Sequence, residues 1–283
     1  MRPFLVPPAW LLLAAMALAQ DTAKHKEMLY PVVRVTVGSG GGSGTLLYSE
    51  DRGDGCQTFV LTNHHVIDGA IHVAKAWSSL LQADRKREAN DLVQVEIFRY
   101  AAGSRQDMAD SCRAEIVAHN KDHDLALLKL QTARTFDHVA ALLPDDAAVE
   151  VFDPCWAVGC SLLHPPISTS GHISYLDDVI DRKKYWMSDA QIIFGNSGGA
   201  MFVQHDKHYV FVGVPSRVAG TWGQVIPHMG WFVPVTRIRE WLAEEQLMFL
   251  LDDKSTPAEC FAKRGEMQKR AEMQLKAGHE GTN

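Results

Sequence analysis

Short segments rich in β-branched residues recur through most of this chain, and no helical pattern follows them until about residue 236. Residues 31–37, 45–48 and 58–62 are the first such segments, and turn residues lie between them. Proteins with a parallel sheet place a helix between successive strands, and that alternation is missing here. The pattern therefore predicts an all-β fold, either a barrel or a sandwich.

The predicted strands lie on both sides of a weakly patterned segment, residues 131–150, which becomes acidic towards its end and is typical of a linker. One amphipathic helix follows the strands, over residues 236–250, with Thr236 as its N-cap. The remaining predicted strands are residues 72–77, 93–100, 115–118, 125–130, 155–159, 170–175, 185–188, 199–203, 208–214 and 231–234.

Glycine-rich and polar stretches are predicted to connect these elements. Residues 38–44 are predicted to form a glycine-serine hairpin turn; they resemble a phosphate-binding loop but lack its following Lys and Ser or Thr. The charged residues 84–91 and the polar residues 101–111 are predicted loops. Residues 251–283 are predicted to be a polar tail, either helical or disordered.

Residues 1–19 have the features of a secretory signal peptide. A basic residue precedes an apolar run over residues 4–18, and the run ends in the small-x-small pattern Ala17-Leu18-Ala19. The alternative is an uncleaved membrane anchor, but the run is shorter than the roughly 20 apolar residues that a spanning helix needs. We therefore expect export to a periplasm or to the exterior, with no membrane span after cleavage.

Charge and cysteine content restrict the possible partners and cofactors. A formal net charge of -6 provides no basic surface for nucleic acid. The five cysteines leave at least one unpaired. Cys155 and Cys160 flank a predicted strand that spans roughly 16 Å, which is too long for a disulfide with Cα atoms within about 7 Å. No cysteine or histidine has metal-ligand spacing, so no metal or other cofactor is expected.

The segment Gly195-Asn196-Ser197-Gly198-Gly199 is a candidate nucleophile turn. A serine hydroxyl is a poor nucleophile unless a base removes its proton, so Ser197 needs a histidine and a group that orients it. The glycines allow a tight turn whose N–H groups, those of Gly195 and Ser197, can bind the oxygen of a tetrahedral intermediate.

Two earlier segments provide the candidate partners of that serine. His65 comes at the end of a predicted strand, where a rigid scaffold can present a base to a cleft. Asp124 precedes the apolar run Leu125–Leu130, and a carboxylate beside such a run is costly unless it is hydrogen-bonded. The Nδ1–H of a histidine would satisfy this carboxylate and leave Nε2 free for the serine.

These motifs, Thr-Asn-His-His-Val, Asp-Leu-Ala-Leu-Leu-Lys and Gly-Asn-Ser-Gly-Gly in that order, resemble those of the trypsin-like serine proteases, and most closely those of the HtrA/Deg-type protease domain. The resemblance implies two six-stranded β-barrels of the chymotrypsin type over residues 26–250, with barrel one at about 30–130 and barrel two at about 151–235. It implies His65 as base, since the family's catalytic histidine directly precedes the valine, with Asp124 and Ser197 completing a triad. The backbone of Gly195, Asn196 and Ser197 would form the oxyanion hole.

The chain departs from the family pattern at several positions. In digestive-type members an aspartate precedes the nucleophile and pairs with a newly cleaved N-terminus; Asn196 carries no charge, so no such activation is expected. Ala200 replaces the usual proline. The long interval between His65 and Asp124 implies enlarged loops near residues 78–91 and 101–111. The chain after Leu250 is too short for a PDZ domain.

The residues around the nucleophile also predict a substrate pocket. Gln191 lies six residues before Ser197, where trypsin-like specificity places an aspartate, and apolar residues follow it. The pocket should take a small or medium apolar side chain, and the substrate backbone should pair with the strand edge near residues 213–217. The predicted substrate-binding residues are Gln191, Ile193, Phe194, Val214, Pro215 and Ser216.

The sequence thus predicts an exported serine endopeptidase that acts on protein or peptide substrates by acyl transfer. One alternative is a non-catalytic binding protein that retains the protease fold. A second is an α/β-hydrolase esterase, because residues 195–199 also match the Gly-x-Ser-x-Gly nucleophile elbow; that fold requires a helix directly after Ser197 and places the acid and histidine downstream.

Overall fold

The computed structural model describes residues 23–53, 55–78, 83–101 and 104–280; the predicted signal peptide lies outside these residues. The described strands, in chain order, are β1 (Val32–Val37), β2 (Gly40–Asp51), β3 (Cys56–Thr62), β4 (Ile71–Ser78), β5 (Ala83–Asn90), β6 (Val93–Ala101), β7 (Arg105–Asn120), β8 (Leu125–Leu130), β9 (Pro154–Gly159), β10 (Ile167–Ile180), β11 (Lys183–Ser188), β12 (Ala200–His205), β13 (His208–Thr221) and β14 (Gln224–Pro234).

The helices are few and short, apart from the last. The α-helices are α1 (His64–Ile67), α2 (Val235–Glu244) and α3 (Pro257–Glu280). A π-helical turn and three 3₁₀ turns complete the described elements: His25–Leu29, Asp68–Ala70, Ser161–Leu163 and Met248–Leu250.

Barrel one is a closed antiparallel barrel with the strand order β1–β2–β3–β8–β7–β6. Alternate residues of its strands point inward, as the period of two requires. Val33, Val35, Val60 and Leu128 are fully buried in its interior. β4 and β5 form a separate two-stranded ribbon.

Barrel two is also closed, with the order β10–β11–β14–β13–β12–β9. Its interior contains Ala157, Ile173, Val212 and Phe232, all at most 1 % exposed. The predicted two-barrel architecture is therefore confirmed. The α/β-hydrolase alternative is wrong, because the strand β12, and not a helix, follows Ser197.

The glycine-serine segment is not the loop that the sequence predicted. Only residues 38 and 39 form the turn, and β2 begins at Gly40. These glycines instead permit close approach: a Cβ on Gly42 would lie 2.7 Å from the Ser197 carbonyl oxygen, and one on Gly44 would lie 2.5 Å from Val60 Cγ1. The close contact between β2 and the Ser197 turn explains why this segment is rich in glycine.

The described residues of the two predicted loops of barrel one are mostly β-structure, and residues 102–103 lie outside the described ranges. Residues 84–91 lie largely in β5, paired with β4, and residues 105–111 belong to β7, paired with β6. Residues 88–91 and 105–111 are exposed, apart from the half-buried Asp110. The backbone ladder forms there without buried side chains, so the sequence shows no apolar alternation.

The C-terminal region also differs from the prediction. α2 begins at Val235 after Pro234, without a side-chain cap, and ends at Glu244. The predicted polar tail contains α3, whose first turns pack on barrel one: Cys260 is 3 % exposed. Among the described residues, no helix combines the length and the apolar composition needed to cross a bilayer.

All five cysteines are free thiols in the structure. Cys155 lies within β9 and Cys160 directly follows that strand. Burial raises the pKa of the Cys155 thiol to about 11 and that of Cys160 to about 12. Both therefore remain protonated and unreactive at neutral pH.

Candidate active site

Strand pairing in barrel one brings His65 and Asp124 together. β3 and β8 are antiparallel neighbours, with Thr62 opposite Ala126. His65 lies just after the end of β3 and Asp124 just before the start of β8, so the two residues meet at the same end of the barrel. Asn63 donates a hydrogen bond of 2.7 Å from Nδ2 to the Asp124 carbonyl oxygen, which connects the end of β3 to the start of β8.

The imidazole and the carboxylate form a close pair. His65 Nδ1 lies 2.9 Å from Asp124 Oδ1 and 3.0 Å from Oδ2, and the His65 backbone N–H donates to Oδ1 at 3.2 Å. The neighbours of Nδ1 are acceptors, so the proton belongs on Nδ1. Nε2 is then the basic nitrogen.

The environment keeps Asp124 ionised. Burial alone would raise its pKa, but the hydrogen bond from His65, the charge of that imidazole and the hydroxyl of Ser216 together hold the pKa below its usual value. Ser216 Oγ donates to Asp124 Oδ2 at 2.6 Å. A hydroxyl of barrel two thus binds a carboxylate of barrel one.

Ser197 lies in the turn between β11 and β12, held by contacts with β2. The Ser43 N–H donates to the Ser197 carbonyl at 2.8 Å, and Ser43 Oγ donates to the Gly195 carbonyl at 2.6 Å. Gly195 and Gly198 have φ of 97° and 84°, a region that L side chains rarely adopt. A Cβ on Gly198 would lie 2.1 Å from the Ser43 carbonyl oxygen.

The residues before Ser197 form a turn with a defined peptide orientation. The Asn196 N–H donates to the Ile193 carbonyl at 3.1 Å, and Gly195 has positive φ at the third position, as in a type II β-turn. The Phe194 carbonyl accepts the Leu162 N–H at 2.7 Å. Because the peptide is trans, the Gly195 N–H points away from Leu162.

Asn196 anchors this turn from inside the protein. It is only 2 % exposed, and its Oδ1 accepts hydrogen bonds from Ser161 Oγ at 2.7 Å and from the Ile193 N–H at 3.1 Å. A neutral side chain thus holds the nucleophile turn through neutral donors. The sequence predicted that Asn196 needs no charged partner, but it did not reveal Ser161 as the donor.

One cavity of about 520 Å³ contains both His65 and Ser197. Of the six predicted substrate-binding residues, four line it: Ile193, Phe194, Pro215 and Ser216. Three further lining residues were not predicted: Ile192, Arg217 and Val218.

Two predicted substrate-binding residues lie outside this cavity. Val214 is fully buried in the core, because alternate residues of β13 face opposite sides of the strand. Gln191 is exposed, and its carbonyl accepts a hydrogen bond from Thr169 Oγ1 at 2.7 Å. Ile192 lines the cavity instead of Gln191. It is 5 % exposed and packs against Gly230, where an added Cβ would lie 2.5 Å from Ile192 Cδ1.

Comparison with known proteins adds a family match. The family model of the trypsin-like peptidase domain matches residues 42–214. No curated protein matches the sequence. Within the described ranges, no three His, Cys, Asp or Glu side chains are grouped as ligands for a metal ion.

Solved structures of similar fold include HtrA-type proteases. The HtrA-type protease AlgW with a tripeptide has a TM-score of 0.56 and 20 % identity, over 81 % of this chain and 63 % of the other. A serine endoprotease from Yersinia pestis has a TM-score of 0.54 and 20 % identity, over 81 % of this chain and 66 % of the other. The MamO protease domain from Magnetospirillum magneticum has a TM-score of 0.54 and 21 % identity, over 77 % of this chain and 98 % of the other. The chain thus spans less than two thirds of the AlgW chain that it resembles.

Proposed function

The chain belongs to the trypsin-like peptidase domain family, and from this we propose that it is a serine endopeptidase with His65, Asp124 and Ser197 as its catalytic triad. The observation that carries the proposal is the contact of His65 Nδ1 with both carboxylate oxygens of Asp124, in the cavity that Ser197 also lines. That contact leaves Nε2 as the proton acceptor on the cavity side.

The proposed reaction is acyl transfer to Ser197. Oγ attacks the peptide carbonyl carbon while Nε2 of His65 takes the hydroxyl proton. The tetrahedral intermediate collapses, the C–N bond breaks, and the same proton passes to the departing amine. Water then attacks the acyl carbonyl carbon while Nε2 takes one of its protons. The bond from that carbon to Ser197 Oγ breaks, and the proton passes from Nε2 to Oγ, so the acid is released and the Ser197 hydroxyl is restored.

The backbone N–H groups of Gly195 and Ser197 would stabilise the oxyanion of this intermediate. The type II turn at Gly195 supports this role, because the Phe194 carbonyl is already bound on the opposite side. The turn is held by Asn196 and Ser161, so we propose that activity needs no cleavage to free a new N-terminus.

The substrate is proposed to be a protein or peptide in extended form. The cavity next to Ser197 is lined by Ile192, Ile193 and Val218, which suits a small or medium apolar side chain. The chain at Ser216–Val218 borders the same cavity, and the substrate backbone can pair with it as an added strand. We propose export by the signal peptide over residues 1–19.

The proposal is tested by labelling the protein with a fluorophosphonate probe and by assaying casein or peptide-library cleavage. Wild type should be labelled and should cleave, Ser197→Ala should do neither, and Ser168→Ala, at an exposed serine of β10, should behave as wild type. The structure contains no hydrogen bond between Ser197 Oγ and His65 Nε2, a contact that often forms only with substrate bound. Absence of labelling in wild type would favour the non-catalytic binding protein instead.

A further inference from the structure

Asp124 lies in a turn of left-handed backbone conformation directly before β8. Its φ is 54°, in the left-handed region, which is rare for residues other than glycine. The turn that precedes β8 sets the direction of the carboxylate, so the contacts that hold this turn matter for the position of Asp124. The His123 N–H is bound locally, by Asn120 Oδ1 at 2.9 Å. The carbonyl groups of residues 122–124 are bound by side chains from elsewhere.

Arg237 supplies the donors for two of these three carbonyls. Its Nη2 donates to the Asp122 carbonyl at 3.3 Å and to the His123 carbonyl at 2.9 Å. The third carbonyl, that of Asp124, is bound by Asn63. Arg237 belongs to α2, more than 100 positions further along the chain, so the turn of barrel one is held by the helix that follows barrel two.

The guanidinium is itself fixed. Arg237 is 8 % exposed, its Nη1 donates to the Lys184 carbonyl at 3.0 Å, and its Cζ lies 5.0 Å from the ring centre of Tyr185. Arg217, which lines the substrate cavity, lies 5.2 Å from that ring. The planar fork of arginine can bind carbonyls of both barrels at once, and lysine has no equivalent geometry.

The described hydrogen-bond partners of Arg237 are all carbonyl oxygens. Among the described residues no carboxylate pairs with this guanidinium, so no ion pair offsets the cost of burying its charge. Arg237 acts on the geometry of the turn, because the two carbonyls that it binds belong to the residues directly before Asp124, whose carboxylate orients His65. A misplacement of about 1 Å in such a group can lower the rate about 100-fold.

We propose that Arg237 is a positioning residue for Asp124: it holds the turn over residues 122–124 so that the carboxylate meets His65 Nδ1. The inference rests on the proposed peptidase function and adds to it a dependence of the catalytic acid on helix α2. It makes Arg237 part of the catalytic support, without contact to substrate.

The experiment compares Arg237→Ala and Arg237→Lys with Arg239→Ala in the full chain. Arg239 lies on the same helix and also binds a backbone carbonyl, that of Leu143, together with Asp145 at 2.9 Å, but it does not contact the turn. We expect Arg237→Ala to lower kcat by about 10- to 100-fold with KM within about twofold, and Arg239→Ala to leave kcat within about twofold. Added methylguanidinium should restore part of the kcat lost by Arg237→Ala.

Each outcome has a defined meaning. An Arg237→Ala variant with wild-type kcat, or with a loss matched by Arg239→Ala, would overturn the inference. If Arg237→Ala does not fold, Arg237→Lys decides the question, because it keeps the positive charge and loses the planar guanidinium. Wild-type kcat in Arg237→Lys would also overturn the inference. Wild type that is not labelled by the fluorophosphonate probe refutes the peptidase function itself, whereas labelled wild type with unaffected Arg237 variants refutes only the positioning role.

Discussion

Ser216 Oγ donates a hydrogen bond of 2.6 Å to Asp124 Oδ2, which joins a strand of barrel two to the carboxylate of barrel one. The sequence indicated Ser216 only as a wall of the substrate pocket, and the structure gives it this second contact. With the Nδ1 and backbone N–H groups of His65, it surrounds a largely buried carboxylate with three donors. Such donors favour the ionised form, which must persist if the carboxylate is to orient an imidazolium.

Replacement of Ser216 by alanine should therefore weaken catalysis without abolishing it. The hydrogen bond to a charged acceptor is worth about 1.5–3 kcal/mol, so we expect kcat/KM to fall by about 10- to 150-fold. The pKa of Asp124 should rise, because burial continues to raise it while one opposing donor is lost. Peptide cleavage kinetics and NMR titration of the carboxylate provide the measurements. Ser168→Ala is the control, and unchanged kinetics in Ser216→Ala would contradict the role.

The sequence predicted the proposed triad because each of its three residues lies beside a distinctive local pattern. His65 follows a strand, Asp124 precedes an apolar strand, and Ser197 lies among glycines that the tight turn requires. Such patterns are local, so they survive in a single sequence. The contacts that hold these residues, such as Ser161 with Asn196, join segments far apart along the chain and have no local signal.

Strand β5 shows the same distinction. The sequence predicted its partner β4 but gave the charged residues 84–91 as a loop, because β5 carries no apolar alternation; its residues 88–90 are exposed. Helix α3 is one of the two alternatives that the sequence left open for the tail, and it has a local signal: Thr256 and Glu259 form a reciprocal capping box, with Pro257 at the first helical position. The later residues lack an apolar stripe, so the pattern did not decide between a helix and disorder.

A side chain at position 195 should disrupt the oxyanion turn. A Cβ there would lie 2.5 Å from the Cys160 carbonyl oxygen and 2.6 Å from the Leu162 nitrogen, at a φ of 97°. We expect Gly195→Ala to lower kcat by about 10²–10³-fold, the effect of losing one oxyanion donor. Gly223→Ala is the matched control, with φ of 77° but open space around it. It should lose about 1 kcal/mol of stability and keep its kcat; equal kcat in both variants would contradict this prediction.

An aspartate at position 196 should be poorly tolerated, although digestive-type relatives carry one. Asn196 is 2 % exposed and its Oδ1 meets only the neutral donors of Ser161 and Ile193. Asn196→Asp would bury an unpaired charge, which should lower the free energy of unfolding by about 3 kcal/mol at pH 7. Burial would raise the pKa of the new carboxyl, so the penalty should disappear as the pH falls below about 4.

Urea unfolding at pH 7 and pH 4 checks this prediction. Gln106→Glu, at an exposed position of β7, is the control and should change the free energy of unfolding by well under 1 kcal/mol. A penalty for Asn196→Asp that is the same at both pH values would show that packing, and not charge, is responsible.

Asp110 should make a pH-dependent contribution to stability. Hydrogen bonds from Arg99 first, and then from Arg134, lower its pKa to about 2 against the opposing effect of burial. A depressed carboxyl pKa stabilises the fold above the unfolded value of about 3.9, and the contribution is lost as the pH falls towards 2. Both guanidinium groups are about half exposed, so we expect Asp110→Asn to cost only about 1 kcal/mol at pH 7.

Urea titrations between pH 7 and pH 2.5 provide the measurement for Asp110. The difference between Asp110→Asn and wild type should be constant down to about pH 5 and should then narrow as the pH approaches 2.5. Asp145→Asn, at a site that is 82 % exposed, serves as the control with a smaller effect. A difference that widens on acidification would contradict the assignment.

The size of the substrate pocket should depend on Ile192. This side chain lies directly against Gly230 and lines the cavity next to Ser197, so it occupies depth that a larger substrate side chain would need. Ile192→Ala should shift the preferred residue before the cleaved bond towards Leu or Phe, with a change of about 10- to 200-fold in the ratio of kcat/KM values. A peptide-library cleavage profile measures the shift. Ile167→Ala, at a β10 position 40 % exposed and outside the cavity, is the control. If this cavity receives the substrate side chain, removing three carbon atoms from the cavity wall must admit larger side chains. A cleavage profile for Ile192→Ala that matches wild type would therefore place the specificity pocket elsewhere.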